Sequence, residues 1–218
     1  PGRFFTINTV RKGQEQTRTA GLVSFAMDKE GEEFVFLFEA TNVGMIRNPN
    51  GQGGFGDDWG TPNVFYGGDA TLKRVYCGLN TEYRILVKDY SGKTLFVIEK
   101  SHENAKVSRG DVERMMPWAL KDELSKWILS AYPDRLVAIK DVVRMPKGHL
   151  GVLRVTGAKN FEIDVFDDKG TFRYVLVPPA GVNMDGAQYF AGGFATVETD
   201  EDYSVYREYR IKNLPEIF

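Results

Sequence analysis

Residues 83–97, which read YRILVKDYSGKTLFV, recur 78 positions later as FEIDVFDDKGTFRYV at residues 161–175. Each copy contains an alternating apolar segment, an Asp-x-x-Gly sequence and a second alternating segment. An aspartate carboxylate can accept hydrogen bonds from turn amides, and glycine can adopt a positive φ without a Cβ clash. The sequence therefore predicts the same β-hairpin twice, and such a repeat constrains the architecture of the whole chain.

Further segments with β-strand character surround this pair of hairpins. They lie at residues 4–10, 21–27, 32–40, 70–79, 135–144, 149–156, 194–198 and 204–211. A third Asp-x-x-Gly turn is predicted at Asp28, and an acidic turn at residues 199–202. Polar or glycine-rich composition predicts a turn or outer edge at residues 11–19, a long loop at 42–68 and a connecting loop at 180–191.

Residues 101–133 form the one segment with helical character. Ser108 and Asp111 have the spacing of a capping box, which predicts a helix start. Pro117 is predicted to divide the segment into a short turn and a helix at residues 118–132. Apolar residues of that helix recur on one face, which is expected to pack on the body of the protein.

Composition excludes several classes of site and partner. Lysine and arginine (28 residues) nearly balance aspartate and glutamate (30 residues), so the formal net charge is −2 and we expect no nucleic-acid partner. No apolar run reaches the roughly 18 residues that a membrane-spanning helix needs. Cys77 is the only cysteine, which excludes an internal disulfide, and its alternating RVYCGL setting predicts a buried thiol.

The segments group into about four units, each with strands followed by an outer hairpin. Sheets of about four strands repeated in this way are typical of a β-propeller. The sequence therefore predicts an all-β propeller of four-stranded antiparallel blades, with one helical insertion at about residues 108–132. A β-sandwich is the alternative, because it also contains many short alternating strands.

Residues 148–155 (GHLGVLRV) and 163–170 (IDVFDDKG) resemble a blade of the bacterial six-bladed β-propellers related to the NHL repeat. In that family an inner strand precedes an outer Asp-x-x-Gly hairpin, as it does here. Many exported bacterial members also carry a helical excursion between blades. The resemblance therefore implies a bacterial protein located in the periplasm or outside the cell.

The predicted number of units is smaller than the six that this family contains. The chain also begins at Pro1 rather than at a methionine. We expect residues 1–218 to form either a single β-propeller domain or the C-terminal part of a larger propeller. Because an open blade edge exposes unpaired backbone groups, a second copy or a protein partner is expected to complete the structure.

No catalytic residues are predicted. The sequence contains no H-E-x-x-H, G-x-S-x-G, P-loop or G-x-G-x-x-G motif in a suitable context. The two histidines, His102 and His149, have no patterned partners and are expected to be surface or structural residues.

Binding residues are predicted in the glycine-rich stretch at residues 42–68. Phe55, Asp57, Asp58 and Trp59 could line a ligand site there. The alternative is a solvated loop tip that one aromatic side chain tethers. Loops of this length within compact domains are often functional.

The resemblance also implies an alternative function, that of a lactonase-like hydrolase with Ca²⁺ in the central channel. Oxygen ligands are what Ca²⁺ requires. Asp57, Asp58, Asn63, Asp69 and Asp141 are candidates, but they lack a ligand-spacing motif, so no metal residue is assigned. No cofactor is predicted outside this alternative.

The main functional hypothesis is a non-catalytic module for protein interaction or assembly. Tyr203, Tyr206 and Tyr209 could mediate assembly, since aromatic side chains supply interface anchors. Their alternative role is to pack within the last sheet.

Overall fold

The computed structural model describes most residues of the chain. They are residues 2–12, 15–25, 32–41, 43–48, 54–56, 59–121, 126–179, 187–190, 193–200 and 203–211. Most of them lie in antiparallel β-strands, which confirms the all-β class.

Four larger sheets follow one another along the chain, and each is a meander in which sequential strands pair. The first sheet contains β1 (Gly2–Lys12), β2 (Glu15–Phe25) and β3 (Glu32–Thr41). The second contains β6 (Val64–Asp69), β7 (Arg74–Leu79), β8 (Arg84–Asp89) and β9 (Thr94–Glu99). The third contains β10 (Ile139–Arg144), β11 (Leu150–Gly157), β12 (Asn160–Phe166) and β13 (Phe172–Leu176). The fourth contains β14 (Gln188–Phe190), β15 (Gly193–Asp200) and β16 (Tyr203–Arg210).

The predicted hairpin repeat is confirmed as β8–β9 and β12–β13. Asp89 Oδ1 accepts hydrogen bonds from the amides of the second and fourth residues after it, at 2.8 and 3.1 Å. Asp167 Oδ1 does the same at 2.9 and 2.8 Å. Gly92 and Gly170 have φ values of +84° and +79°, a conformation that suits glycine. The turn at Asp28 lies outside the described residues.

The four sheets pack face to face in chain order. Leu37 of the first sheet packs with Val75 of the second. Ile85 and Val87 of the second sheet pack against the third, and their repeat equivalents Ile163 and Val165 pack against the fourth. The repeated positions therefore point towards the next sheet in both copies, so the two central sheets are buried on both faces.

The helical segment connects the second and third sheets. It contains α1 (Arg109–Met115), α2 (Pro117–Lys121) and α3 (Lys126–Ala131). The capping box is confirmed, because the Asp111 amide donates to Ser108 Oγ and the Ser108 amide donates to Asp111 Oδ2. The predicted helix at 118–132 corresponds to α2 and α3, and residues 122–125 between them lie outside the described part. The side chains of Val112 and Ile128 lie buried in the core on the inner side of this segment.

The loop prediction for residues 42–68 is wrong at two places. A two-stranded ribbon forms from β4 (Ile46–Arg47) and β5 (Gly54–Phe55), and β6 begins at Val64. A Cβ at Gly67 would lie 2.9 Å from Val142 Cγ2, so glycine allows β6 to approach the third sheet closely. Described glycines of this stretch serve close packing, since a Cβ at Gly54 would lie 2.7 Å from the Ile46 carbonyl oxygen and a Cβ at Gly56 2.6 Å from that of Gly44.

Two shorter predictions also need correction. Residues 11–19 lie largely within β1 and β2, whose paired register extends to Lys12 and Glu15. Part of the predicted loop at 180–191 forms β14, which pairs with β15 through Tyr189 and Phe194. In both places inter-strand pairing outweighs the local polar or glycine-rich composition.

Candidate functional site

The predicted binding residues Phe55 and Trp59 pack against the helical segment. The Phe55 ring lies 5.5 Å from the Trp118 ring, and the Trp59 carbonyl accepts a 2.8 Å hydrogen bond from the Val137 amide. Lys140 Nζ lies 4.7 Å from the centre of the Trp59 ring. Asp57 and Asp58 lie outside the described residues. The two described residues therefore anchor the ribbon to the helices.

The other candidate metal ligands have separate local roles. Asn63 Oδ1 accepts a 2.7 Å hydrogen bond from Arg18 Nη1. Asp69 Oδ1 accepts two turn amides, at 2.8 and 3.0 Å. Asp141 Oδ1 accepts the Val142 amide at 2.7 Å. In the part of the chain described here, no three His, Cys, Asp or Glu side chains are close enough together to hold a metal ion.

A buried ionic cluster between the second and third sheets is the most concentrated polar group described. At its centre is the Asp164 carboxylate of β12, whose side chain is 0% exposed. Its Oδ2 accepts hydrogen bonds from the Tyr83 hydroxyl at 2.6 Å, from Lys100 Nζ at 3.0 Å and from Arg154 Nε at 3.0 Å. Tyr83 and Lys100 belong to the second sheet's hairpin, and Arg154 lies on β11. The carboxylate therefore joins the two sheets through Tyr83 and Lys100, while Arg154 binds it from within the third sheet.

Two further residues surround this cluster. Arg154 Nη2 also donates to Glu162 Oε2. The His102 ring lies 5.9 Å from the Tyr83 ring, and its Nε2 is buried with no hydrogen-bond partner among the described residues. Asp164 Oδ1 is also buried and has no hydrogen-bond partner among the described residues. A buried polar atom of this kind is commonly satisfied by an ordered water molecule.

Burial and hydrogen bonding set the protonation states in the cluster. Burial alone would raise the pKa of Asp164, but hydrogen bonds from Tyr83, Lys100 and Arg154 outweigh it and hold that pKa below the usual range. Burial, together with the hydrogen bond to Asp164, raises the pKa of the Tyr83 hydroxyl far above its ordinary value. The carboxylate therefore stays ionised and the phenol stays protonated at neutral pH. Neither has a pKa near neutrality, as an efficient general acid or base would need.

The repeat contains a signal for this cluster that the sequence reasoning missed. Position 86 of the first copy corresponds to position 164 of the second, and the residues are Leu86 and Asp164. Leu86 packs against the first sheet. Asp164 occupies the equivalent inward position against the second sheet. A charged residue at a repeat position that is otherwise apolar indicates a buried polar site, since it must find partners there.

A cavity of about 350 Å³ lies between the third and fourth sheets. Its walls are largely apolar and aromatic, and they include Ile163, Leu176, Pro178, Tyr189, Phe194 and Tyr209. Phe194 and Tyr209 stack with ring centres 4.9 Å apart and an interplanar angle of 13°. The Tyr209 side chain therefore packs within the fourth sheet, as one of its two predicted roles required.

The remaining reactive side chains have structural positions. Cys77 is buried as predicted, and burial raises the pKa of its thiol to about 11. His149 is buried, and its Nδ1 lies 3.1 Å from the Pro146 carbonyl oxygen, which can only accept a hydrogen bond. Neither residue has the geometry of an activated nucleophile or base.

The comparisons with known proteins identify no family for this chain. No family model matches it, and a search of curated proteins found no relative. Among the described residues, no helix has both the length and the apolar character required to cross a membrane.

Proposed function

We propose that this chain is a non-catalytic β-propeller segment, related to the six-bladed NHL-like propellers, that acts in protein interaction or assembly. Its support is the packing of four meander sheets face to face in chain order. In both copies of the repeated hairpin, apolar side chains pack against the next sheet along the chain. This arrangement suits a propeller better than a two-sheet sandwich, because a sandwich buries only one face of each sheet. An exported bacterial protein remains our expectation for its location.

The last sheet carries the observation on which the assembly proposal rests. Val197 of β15 pairs with Tyr206 of β16, and they are 57% and 63% exposed. The neighbouring pair Phe194 and Tyr209 lies on the opposite face and packs towards the third sheet. The apolar pair therefore lies on the side facing away from the stack, where the next blade of a propeller would pack.

The partner at this face would be another β-sheet, from a second copy of the chain or from a different protein. An aromatic residue beside a β-branched residue is a favourable sheet-packing pair. Tyr206 would act as the interface anchor predicted for the tyrosines of this strand. The Tyr203 side chain lies outside the described part.

Native mass spectrometry and light scattering of the purified chain test this proposal. We expect a dimer or larger assembly, and we expect the double variant Val197→Lys/Tyr206→Lys to dissociate it. Leu95→Lys, at a 44% exposed site on outer strand β9, is the matched control and should leave assembly unchanged. A wild-type chain that stays monomeric at high concentration would rule out self-assembly. If the chain then also binds no other protein through the face that contains Val197 and Tyr206, the interaction role would be ruled out.

The hydrolase alternative can be tested in the same samples. A lactonase-like propeller would bind Ca²⁺ in its channel, so Ca²⁺ should raise the melting temperature and chelation should lower it. Identical melting curves with Ca²⁺ and with chelator would argue against that alternative. Lactone hydrolysis that requires Ca²⁺ would instead overturn the non-catalytic proposal.

A further inference from the structure

Four short connections, three turns and one 3₁₀ helix (Pro146–Gly148), lie together at one end of the second and third sheets. They connect β6 to β7, β8 to β9, β10 to β11 and β12 to β13, and antiparallel meanders place alternate turns at the same end. Contacts join them, because Arg74 Nη1 donates to the Asp168 carbonyl and a Cβ at Gly148 would lie 3.1 Å from Leu72 Cδ1. We call this surface the turn rim and define it as residues 69–74, 88–94, 144–149 and 167–173.

The turn rim is basic although the chain as a whole is slightly acidic. It contains eight lysines and arginines against four aspartates, a formal net charge of +4, whereas the complete chain has −2. Six of the cations are exposed to solvent, namely Lys73, Lys93, Arg144, Lys147, Lys169 and Arg173. These residues come from four separate segments, so only folding brings them together.

The aspartates of the rim are largely withdrawn from its surface. Asp69 and Asp167 are buried, and Asp89 is partly buried. Each uses Oδ1 to accept amides of its own turn. Asp168 is the exposed carboxylate among the four. The rim surface therefore presents exposed lysine ammonium groups, whereas its buried aspartates bind turn amides and two of its arginines.

The chemistry of the rim favours carboxylate partners. Arg144 Nε lies 3.4 Å from Asp69 Oδ2, and Arg173 Nη2 contacts Asp167 Oδ2, so two arginines already bind carboxylates there. The turn amides that bind the Asp69, Asp89 and Asp167 side chains are not free to form a phosphate-binding nest. Lysine ammonium groups on flexible stems suit diffuse attraction to several acidic side chains.

We propose that the turn rim docks an acidic polypeptide segment of a partner protein. The four exposed lysines attract its carboxylates, and the attraction depends on the ionic strength because the groups are exposed. The rim belongs to the second and third sheets, whereas the apolar pair lies on the fourth. The test of peptide binding at the rim is therefore independent of the test of assembly through the fourth sheet.

Fluorescence anisotropy with a labelled oligoglutamate peptide tests this docking. We expect binding at low salt that weakens steeply as salt is raised. The quadruple variant Lys73→Glu/Lys93→Glu/Lys147→Glu/Lys169→Glu should bind at least about tenfold more weakly. Circular dichroism should show that this variant keeps the wild-type fold.

The matched control uses a lysine at the opposite end of the third sheet. Lys159 is exposed and has φ +60°, while Lys73 and Lys147 have φ +51° and +53°, so all three adopt the same backbone conformation. We expect Lys159→Glu to bind the peptide within about twofold of wild type, since Lys159 lies in the β11–β12 turn at the opposite end of the sheet from the rim. Equal losses in the control and the rim variant would overturn the proposal. Tighter binding of duplex DNA than of the peptide would also overturn it and would assign the rim to nucleic acid.

Discussion

The Tyr83 hydroxyl donates a 2.6 Å hydrogen bond to Asp164 Oδ2 across the boundary between the second and third sheets. The two residues are 81 positions apart, and each belongs to one copy of the repeated hairpin. The same oxygen also accepts from Lys100 and Arg154. The packing of the second sheet against the third therefore depends on the charge of the Asp164 carboxylate.

Replacing Asp164 by asparagine should destabilise the protein by about 3 kcal/mol, because two cations would then lack their buried carboxylate. Chemical denaturation measures the change in the free energy of unfolding. Asp168→Asn is the control, since Asp168 is exposed and lies in the neighbouring turn. A loss in Asp164→Asn no larger than that in the control would show that the cluster contributes nothing to sheet packing.

Stability should fall as the pH is lowered below about 6.5, the ordinary pKa of histidine. Burial, with Arg154 and Lys100 nearby, lowers the pKa of His102 in the folded protein. The unfolded chain therefore binds the proton first, and the folded state loses stability as the pH falls from the unfolded pKa towards the folded one.

The free energy of unfolding measured against pH should show this slope, and His102→Gln should flatten it. His149 is the other histidine, and His149→Gln is the control for general effects of losing an imidazole. A slope that persists unchanged in His102→Gln would assign the pH dependence to other groups.

Gly170→Ala should destabilise the β12–β13 hairpin by about 1–2 kcal/mol, because an L-residue at positive φ is strained. A Cβ at this position would also lie 2.6 Å from the Phe96 ring. Gly110→Ala is the matched control: Gly110 lies in helix α1, where a Cβ would make only an ordinary 3.8 Å contact with Ser108 Oγ and alanine should stabilise by up to about 1 kcal/mol. Thermal unfolding of both variants measures the opposite signs, and equal signs would contradict this account of the turn.

Cys77 should not react with a thiol reagent in the folded protein. Its side chain is buried, and burial raises the pKa of its thiol to about 11, so little thiolate forms near neutral pH. The reaction should become complete in denaturant, which provides the internal control. Rapid labelling of the native chain would show that the first and second sheets separate readily, because Cys77 lies in the core between them.

The sequence by itself determined the local parts of this fold. The Asp-x-x-Gly turns, the paired hairpins and the capping box at Ser108 depend on backbone conformation and on contacts between residues a few positions apart. Such features follow from residue type and spacing, so they could be predicted. Gly67 of β6 lies in the stretch wrongly predicted as a loop, because the close packing against Val142 that its missing Cβ permits is a long-range contact.

Only the tertiary structure decided which residues meet between sheets. The alternating pattern of residues 161–166 has two faces, and the stacking order of the sheets determines that Asp164 faces Tyr83 rather than the fourth sheet. The same stacking exposes Tyr206, packs the partly buried Tyr209 against Phe194 and gathers the basic turn rim from four segments. Local spacing cannot encode these outcomes, because each depends on surfaces that are distant in sequence and meet only when the sheets pack.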